Sequence, residues 1–519
     1  MKPTVRAAIF AALFLLVSAL RGLAQDVTLT SHDGAVEISG TLRGFDGEFY
    51  RVDTIYGELT VDGSGVRCDG PGCPSLTDFV AELDLSGATT MGAGLMPALI
   101  QGFAQRSGLT VERDVLDDGT QFLLRDRNSG RLKGRFRFRL TTTDEGFADL
   151  LADEADVAMA VREIRQEEIR HGREAGLGDL TARGRARVLA LDALVAVIAP
   201  GNPVEHMSID DLARVFAGKI TNWTELGGPD APIGLHVRDA KSGLGQAVED
   251  RLLKPAGLTL ADDAVRHDSD TSLAEAVTSD PFGIGIASFA ARGDAQILVL
   301  AGSCGYALAP ARRTIKTEDY PLTTPMFLYL PARRLPKLAR DFLSYARSAQ
   351  AQLVIRRAGF IDRQPEEISI ESQGDRMANA VAGAGKEILL EDLQAIVARL
   401  WGRKRLTTSF RFEAGSVKLD AQSRSNVAQL ARALEAGRYD GRALLFAGFS
   451  DSDGPAAGNQ AISERRAKAV QNAVITAAET ANLDRLTVEI AGFGEAMPMA
   501  CDDSAWGRQV NRRVEIWLK

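Results

Sequence analysis

Two oppositely charged residues near the carboxyl end of the sequence have the chemistry needed to hold a zwitterion. Asp451 lies in a glycine-flanked turn after an apolar run, and Arg466 follows fifteen residues later. Apolar residues recur around Arg466 at helical spacing, at Ile462, Val470 and Val474. A carboxylate accepts from an ammonium group, and a guanidinium binds a carboxylate through two parallel hydrogen bonds. A strand end, a turn and a helix start therefore predict a small polar site, although either residue alone is also typical of a solvated loop or a helix salt bridge.

Several motifs around these two residues resemble the OmpA-like peptidoglycan-binding domain. They run in order across residues 407–519: FRFEAGSVKLD, GFSD, NQAISERRA, GFGE and NRRVEI. The resemblance implies that this α+β domain binds the diaminopimelate of peptidoglycan stem peptides. Asp451 would hold the amine and Arg466 the carboxylate, with Asn459 and Arg512 nearby. The family's His or Tyr before the Ser/Thr-Asp pair is Phe449 here, which we expect to serve packing.

Length and charge bound the remaining possibilities. The chain has 519 residues, enough for three or four domains. Its net charge of -8 argues against a nucleic-acid partner. No arrangement of residues with the spacing of a catalytic triad, a Cys/His pair or a phosphate-binding loop is evident, so we expect a binding protein rather than an enzyme.

The first residues have the pattern of a secretory signal. Lys2 and Arg6 precede the apolar run 7–20, and small residues follow at 22–24. Residues 1–24 are therefore predicted to be a cleaved signal peptide, with an uncleaved anchor as the alternative. Export places the protein in the periplasm, where the OmpA-like resemblance implies association with the cell wall and the outer membrane.

The four cysteines fit an oxidising compartment. Cys68 and Cys73 are separated by turn-forming residues and are predicted to form a disulfide. For Cys304 and Cys501, pairing and two buried thiols both remain open. The five histidines are scattered without ligand spacing, so we expect no metal site and no cofactor.

Residues 26–75 alternate apolar and polar positions between turn sequences, which predicts a small module of antiparallel strands. The expected form is an open barrel or rolled sheet, stabilised by the Cys68–Cys73 disulfide. Nothing in the segment has a catalytic pattern. We expect it to dock against another module or act as a spacer.

Residues 78–362 alternate strand-like and helix-like runs, which predicts an α/β fold with mostly parallel sheets. Three stretches place polar residues where a strand meets a helix. Backbone N–H groups at helix starts attract anions, glycine permits close approach, and arginine can clamp an oxyanion. Each stretch alone is also typical of an ordinary capped helix. The candidate anion ligands are Thr89, Thr90, Arg162, Arg238, Ser242 and Gly243.

Motifs across this segment resemble the phosphate-binding protein family of ABC transporters, which are two-lobed periplasmic receptors. The resemblance implies two α/β lobes closing over a ligand, with the chain crossing between them near residue 195 and returning near residue 300. The motifs are GATT at 87–90, DVAMAVRE at 156–163, SIDDLARVFAGKITNWTELGG at 208–228, RDAKSGLG at 238–245 and PFGIGIASF at 281–289.

The ligand implied by this resemblance is phosphate or a related small anion. At two positions the sequence departs from the family: the threonine after Ser-Gly is Leu244, and the buried aspartate is replaced by Val161 or Arg162. An arginine there favours a more fully charged anion. The positions that match the family's oxyanion contacts are Thr90, Arg238, Ser242 and Gly243.

Two stretches lie outside these motifs. Residues 131–139 (RLKGRFRFR) alternate basic and apolar residues and are expected to form a charged edge strand. Residues 363–404 are expected to be a linker, extended at first and then helical over 389–400, before the C-terminal domain at 405–519.

These features predict a phosphate or oxyanion receptor anchored non-covalently to peptidoglycan, with an ABC permease or another envelope protein as a possible partner. The alternative is an envelope sensor or scaffold that keeps the receptor fold and binds another ligand or a protein. A receptor that must diffuse to a permease gains little from a wall anchor, which favours the alternative. The family resemblance favours the receptor.

Overall fold

The computed structural model describes residues 26–76, 78–117, 119–385, 387–413 and 415–519, which form three modules in contact with one another. The predicted signal peptide, residues 1–24, lies outside the described residues. Among the helices in these ranges, none has the length and apolar character needed to cross a membrane.

The N-terminal module is one antiparallel sheet of five strands in the order β4-β3-β2-β1-β5. A disulfide joins Cys68 to Cys73, as predicted. Asp46 and Glu48 pair with Arg334 and Arg340 of the next module, so the sheet is docked there. The strands are β1 (Val27–Ser31), β2 (Glu37–Phe45), β3 (Phe49–Thr54), β4 (Gly57–Asp62) and β5 (Val66–Asp69).

The large module has two α/β lobes joined through one twisted mixed sheet in the order β14-β13-β15-β11-β19-β10-β6-β9-β8-β7. A second, three-stranded sheet has the order β12-β17-β18. The strands are β6 (Ala81–Ala88), β7 (Leu109–Leu116), β8 (Gly119–Asp126), β9 (Leu132–Thr141), β10 (Val157–Ala160), β11 (Ala186–Ile198), β12 (His206–Met207), β13 (Gly234–Arg238), β14 (Val265–His267), β15 (Gly283–Ser288), β16 (Gln296–Ile297), β17 (Val299–Ala301), β18 (Ala307–Leu308) and β19 (Thr323–Tyr329).

Helices cover both faces of this sheet. They are α1 (Met96–Arg106), α2 (Thr143–Leu151), α3 (Gln166–Glu174), α4 (Ile209–Phe216), α5 (Gly243–Val248), α6 (Asp270–Ser279), α7 (Arg312–Lys316), α8 (Lys337–Tyr345) and α9 (Ala349–Arg357). The pairing is parallel at β6–β9, β6–β10 and β13–β15 but antiparallel wherever β11 and β19 take part. The sheet is thus more mixed than the expected mostly parallel arrangement.

The two crossings between lobes lie in β11 and just before β19. Residues 186–193 of β11 pair with β19, and residues 194–198 pair with β15 of the second lobe. The first crossing therefore agrees with the expected position near residue 195. The return lies at about residues 319–323 rather than near residue 300, because β17, β18 and α7 come before it.

The basic segment 131–139 is not an edge strand. It forms most of β9, which lies between β6 and β8, and the edge of this lobe is β7. Its arginines lie on one face and pair with acids of neighbouring elements: Arg135 with Glu82, Arg137 with Asp84, and Arg139 with Asp149. Its phenylalanines are buried on the other face. Ion pairing across the sheet, rather than solvent at an edge, accounts for the alternation.

The C-terminal module is an α+β domain built on a five-stranded sheet in the order β20-β21-β24-β22-β23. Its strands are β20 (Glu367–Ser369), β21 (Lys404–Arg411), β22 (Ala443–Phe449), β23 (Thr487–Gly492) and β24 (Arg513–Leu518). Its helices are α10 (Gly374–Ala382), α11 (Leu390–Leu400), α12 (Ala421–Glu435), α13 (Ala456–Ala477) and α14 (Ala505–Asn511).

The segment 363–404, expected to be a linker, is a layer of this domain. Its β20 adds a strand beside β21, and its helices α10 and α11 cover one sheet face, where Leu393 and Leu400 pack near Phe449 and Trp517. Helices α12 and α13 cover the opposite face. The predicted helix over 389–400 is present as α11. Because β22 and β24 are buried on both faces, the sheet needs a helical layer on each side.

Candidate functional site

The polar site predicted around Asp451 forms at the end of β22. Asp451 is the second residue after this strand and is 8% exposed. Arg512 donates from Nη1 to Asp451 Oδ2 at 2.5 Å. The hydroxyl of Ser450 and Nε of Arg512 are both buried and have no hydrogen-bond partner among the described residues. The site thus combines a carboxylate with unused donors.

Arg466 reaches the same site from α13, where it is 3% exposed. Its guanidinium lies 5.2 Å from the ring centroid of Phe412 and contacts the carbonyl oxygen of Ser416 at 3.4 Å. Within the described ranges it has no carboxylate within salt-bridge distance. Burial and the nearby Arg512 lower the pKa of Arg466, and Asp451 partly offsets this. A buried guanidinium without an ion-pair partner is costly unless a ligand supplies an anion.

Asn459 lies about two helical turns before Arg466, but its side chain is used in other contacts. Its amide donates to Glu495 at 2.5 Å and to the carbonyl oxygen of Gly454 at 3.3 Å. Sequence reasoning placed Asn459 near the site but assigned no role to Glu495. Burial raises the pKa of Glu495. Because the Asn459 amide donates to both Glu495 and Gly454, it fixes the turn around Asp451 and is not a free donor for a ligand.

A second polar region lies where the two lobes meet. Three helical segments begin there: one after Thr90 at the end of β6, α2 after its cap Thr142, and α5 after its cap Ser242. Thr89 Oγ1 donates to the carbonyl oxygen of Thr141 at 3.1 Å, which joins the first two starts. The unpaired N–H groups and dipoles of helix starts favour a negative group.

The lobes are in close contact at this point. A Cβ added to Gly243 would lie 3.0 Å from Cβ of Ala88 in the opposite lobe. The backbone N–H of Thr143, at the start of α2, donates to Oε1 of Gln246 in α5 at 2.9 Å. An acceptor oxygen from one lobe thus binds the helix start of the other. Sequence reasoning identified neither Thr143 nor Gln246.

Arg238 and Ser242 lie in this region but already have partners, and the Ser242 N–H donates to the carbonyl oxygen of Asp239. Arg238 is 6% exposed, its Nε lies 2.8 Å from Asp270, and its Nη1 donates to the carbonyl oxygen of His267 at 3.0 Å. Ser242 Oγ donates to the carbonyl oxygen of Asp239 at 2.6 Å. Because Asp270 offsets the arginine charge, the helix starts supply most of the local attraction for an anion.

Arg162 does not have the geometry expected of an anion ligand. Its Nε donates to Asp144 at 3.2 Å, and its Nη1 donates to the Glu163 carbonyl oxygen at 2.8 Å and to Glu168 at 2.9 Å. Its Nη2 donates to both carboxylates. Every nitrogen of this buried guanidinium has an acceptor, so Arg162 orders the loop between β10 and α3. The acids that satisfy it lie before it in α2 and after it in α3, and no local pattern in the sequence pairs them with Arg162.

The C-terminal domain covers the mouth of the lobe interface. A cavity of about 500 Å³ lies between them and is lined by residues of both lobes and of the C-terminal domain. It contains Glu163 and Glu318, and burial raises the pKa of Glu163 to about 7 and that of Glu318 to about 8. Arg251 and Trp506 also line it, and Trp506 donates to the carbonyl oxygen of Arg251 at 2.9 Å.

Two known families match this chain, one within each of its two larger modules. Residues 80–350 match the description "PBP superfamily domain", and residues 411–512 match the OmpA family.

Individual relatives match one module or the other. Protein SphX of Synechococcus elongatus is 27% identical over 267 residues, covering 48% of this chain and 77% of the relative. Phosphate-binding protein PstS of Borreliella burgdorferi is 24% identical over 213 residues, covering 40% of this chain and 71% of the relative. Outer membrane porin F of Pseudomonas aeruginosa is 34% identical over 113 residues, covering 22% of this chain and 30% of the relative.

Proposed function

Because this chain belongs to the PBP superfamily and carries an OmpA-family domain, we propose that it is an oxyanion receptor held non-covalently to peptidoglycan. Its ligand is phosphate or a related oxyanion, in line with the name of its PstS relative. Its place is the periplasm, beside the cell wall and the outer membrane. The activity is binding: charge pairing holds the wall peptide and no bond is broken.

The observation that carries the proposal is the pair formed by Asp451 and Arg466. Asp451 offers a carboxylate to the ammonium group of diaminopimelate, and the buried Arg466 has no carboxylate partner within the described ranges. A diaminopimelate carboxylate would supply that partner through a bidentate contact. Arg512 Nε and Ser450 Oγ, both buried without partners in the described chain, add donors beside it.

Co-sedimentation of the full chain with purified peptidoglycan tests the anchor. We expect Asp451→Ala and Arg466→Ala each to reduce the bound fraction by at least tenfold, because each leaves one end of the zwitterion unpaired. Arg485→Ala is the matched control, since Arg485 is exposed in the same domain and pairs with Asp440. Binding of both site variants at the wild-type level would contradict the assignment.

Isothermal titration of the full chain with inorganic phosphate tests the receptor. The three helix starts at the lobe interface support this function. One of them, at Thr143, already binds a protein oxygen through its backbone N–H, which shows that these N–H groups attract acceptors. We expect saturable heat that weakens at least tenfold in Ser242→Pro, because proline removes the hydroxyl that caps α5 and the N–H that donates to Asp239, so this helix start is no longer held in place. Lys241→Ala, next to it and exposed, should bind as the wild type does. No heat at millimolar phosphate would overturn the receptor function and leave the anchor intact.

One observation favours a second function, that of an envelope sensor or scaffold. Val161 or Arg162 replaces the family's buried aspartate, and Arg162 donates from every guanidinium nitrogen to protein acceptors. In addition, the C-terminal domain covers the mouth of the lobe interface. If the titration shows no phosphate binding while the wall anchor is retained, this second function is the one supported.

A further inference from the structure

A second cleft, away from the lobe interface, is lined by an unusual number of arginines. It has a volume of about 350 Å³ and lies between the first lobe and helix α12 of the C-terminal domain. No Asp or Glu lines it among the residues that the structure describes. One of its arginines, Arg183, pairs with Glu479 at 2.9 Å. The others have no ion pair within the described chain: Arg187, Arg347, Arg363, Arg424, Arg432 and Arg438.

These guanidinium groups differ in how far the protein satisfies them. Arg363 forms the floor and donates to Val188, Ser425 and Asn426, so it joins the two modules. By contrast, the guanidinium groups of Arg347 and Arg432 make neither a hydrogen bond nor an ion pair among the described residues, and both side chains are exposed and line the cleft. The cleft therefore has a fixed basic floor and free donors at its rim.

The positive charges come from both modules and repel one another. Burial, together with the nearby charges of Arg347, Arg185 and Arg432, lowers the pKa of Arg187 to about 10. Arg187 and Arg347 belong to the first lobe, whereas Arg432 belongs to α12. In a chain with a net charge of -8, such an uncompensated cluster across an interface opposes docking. An anion bound between the modules would reverse this effect.

The start of α9 gives a further source of positive potential. Ala349, the first residue of this nine-residue helix, lines the cleft. The N-terminal end of a helix carries a partial positive charge that favours anions. The volume of the cleft is within the usual range for small-molecule sites. Arginine forks bind phosphate oxygens in bidentate fashion.

We propose that this arginine cleft binds a multiply charged, phosphate-bearing anion that bridges the receptor module and the wall-binding domain. The site is separate from the helix starts at the lobe interface and shares no residue with them. Its ligand would be a soluble oxyanion such as pyrophosphate, or the phosphate of an anionic lipid headgroup.

Titration of the full chain with pyrophosphate at low ionic strength tests this site. The Arg347→Gln/Arg432→Gln variant should lose at least tenfold in affinity, because it removes the two free guanidinium groups. Arg170→Gln/Arg214→Gln is the matched control, which removes two exposed charges elsewhere and should change affinity less than twofold. Without ligand, the cleft variant should melt at the same temperature as the wild type or higher, because repulsion is relieved.

A second arm identifies the source of the phosphate. Vesicles of phosphatidylglycerol, with phosphatidylcholine vesicles as the uncharged reference, are sedimented with the same proteins. Variant-sensitive binding to pyrophosphate assigns a soluble anion, and variant-sensitive binding to phosphatidylglycerol alone assigns a lipid headgroup. If the wild type and the cleft variant behave alike in both arms, the proposed site is wrong.

Discussion

Buried charges in this protein are concentrated where the modules meet. Asp319, at the return crossing between lobes, accepts two hydrogen bonds from Arg405 and one from Arg411 of the C-terminal domain. Glu515 pairs with Arg376 and Arg513 within that domain. Removing one member of such a buried network leaves the others uncompensated in a medium of low polarity. The contact between receptor and anchor is therefore specified by charge as well as by apolar packing.

Glu318, beside Asp319, links the stability of this contact to pH. Burial raises the pKa of Glu318 from its usual 4.5 to about 8 in the folded protein. The folded state therefore holds a proton that the unfolded state releases. The contribution of protonated Glu318 to the free energy of unfolding is complete below pH 4.5 and is lost as the pH rises through 8. For this one carboxyl, the free energy of unfolding falls by at most about 1.4 kcal/mol per pH unit.

We expect Glu318→Gln, which mimics the protonated side chain, to flatten this dependence. Relative to the wild type, its free energy of unfolding should rise between about pH 5.5 and 8.5. Urea denaturation of the full chain at the two pH values measures the difference. Glu167→Gln, at an exposed position of α3, is the control and should follow the wild type. A Glu318→Gln curve parallel to the wild type would mean that Glu318 is ionised in the folded protein.

At the level of elements, the proposed wall-binding site depends on the close approach of α13 to β22. A Cβ added to Gly448 would lie 2.0 Å from the backbone carbonyl oxygen of Ser463. We expect Gly448→Ala to destabilise the domain by roughly 1–3 kcal/mol or more, because neither backbone can move without disturbing the other. It should also weaken peptidoglycan binding, since Asp451 and Arg466 lie on these two elements.

Gly458, in the first turn of α13, is the matched control for this change. Its added Cβ would meet nothing closer than Pro455 at 3.6 Å. Gly458→Ala should stabilise the domain by about 0.5–1 kcal/mol, because alanine loses less backbone entropy in a helix. Thermal denaturation and peptidoglycan co-sedimentation compare the two variants. Equal melting temperatures would show that the helix does not pack on the strand at Gly448 as described.

Elements with a strong local pattern were predictable from the sequence. The N-terminal strands, α11 and the helix that carries Arg466 follow from alternation or helical spacing, and the family motifs gave the two larger folds. The position of β9 inside the sheet was not predictable, because its alternating arginines suit an edge strand as well as a strand flanked by acids. The pairing of Arg162 with Asp144 and Glu168 was also missed, since it depends on tertiary contacts.

At the scale of the whole molecule, the C-terminal domain contacts both lobes of the receptor. On the first lobe, the backbone N–H of Ala421 donates to Glu163 at 2.6 Å. On the second lobe, Trp506 donates to the carbonyl oxygen of Arg251, and a disulfide joins Cys304 to Cys501. Separation of the lobes must therefore break one of these sets of contacts. The anchor restrains the hinge motion on which a two-lobed receptor depends.

The Cys304–Cys501 disulfide is the strongest of these restraints, because it closes a sequence separation of 197 residues. By restricting the unfolded chain, this disulfide adds up to about 5 kcal/mol to the free energy of unfolding. We expect Cys304→Ser/Cys501→Ser to lower the melting temperature of the full chain and to speed hydrogen exchange in α14, which packs against the second lobe. Phosphate association should also become faster, because the lobes separate more readily.

The second disulfide provides the control. The Cys68→Ser/Cys73→Ser variant removes a disulfide that joins cysteines five residues apart in the N-terminal module. The same entropy argument gives this disulfide about 2 kcal/mol of the free energy of unfolding. It should leave exchange in α14 unchanged, because that sheet contacts the first lobe, through Arg334 and Arg340, whereas α14 contacts the second. If the Cys304→Ser/Cys501→Ser variant also leaves α14 protected, then charge and apolar contacts alone hold the domain against the second lobe.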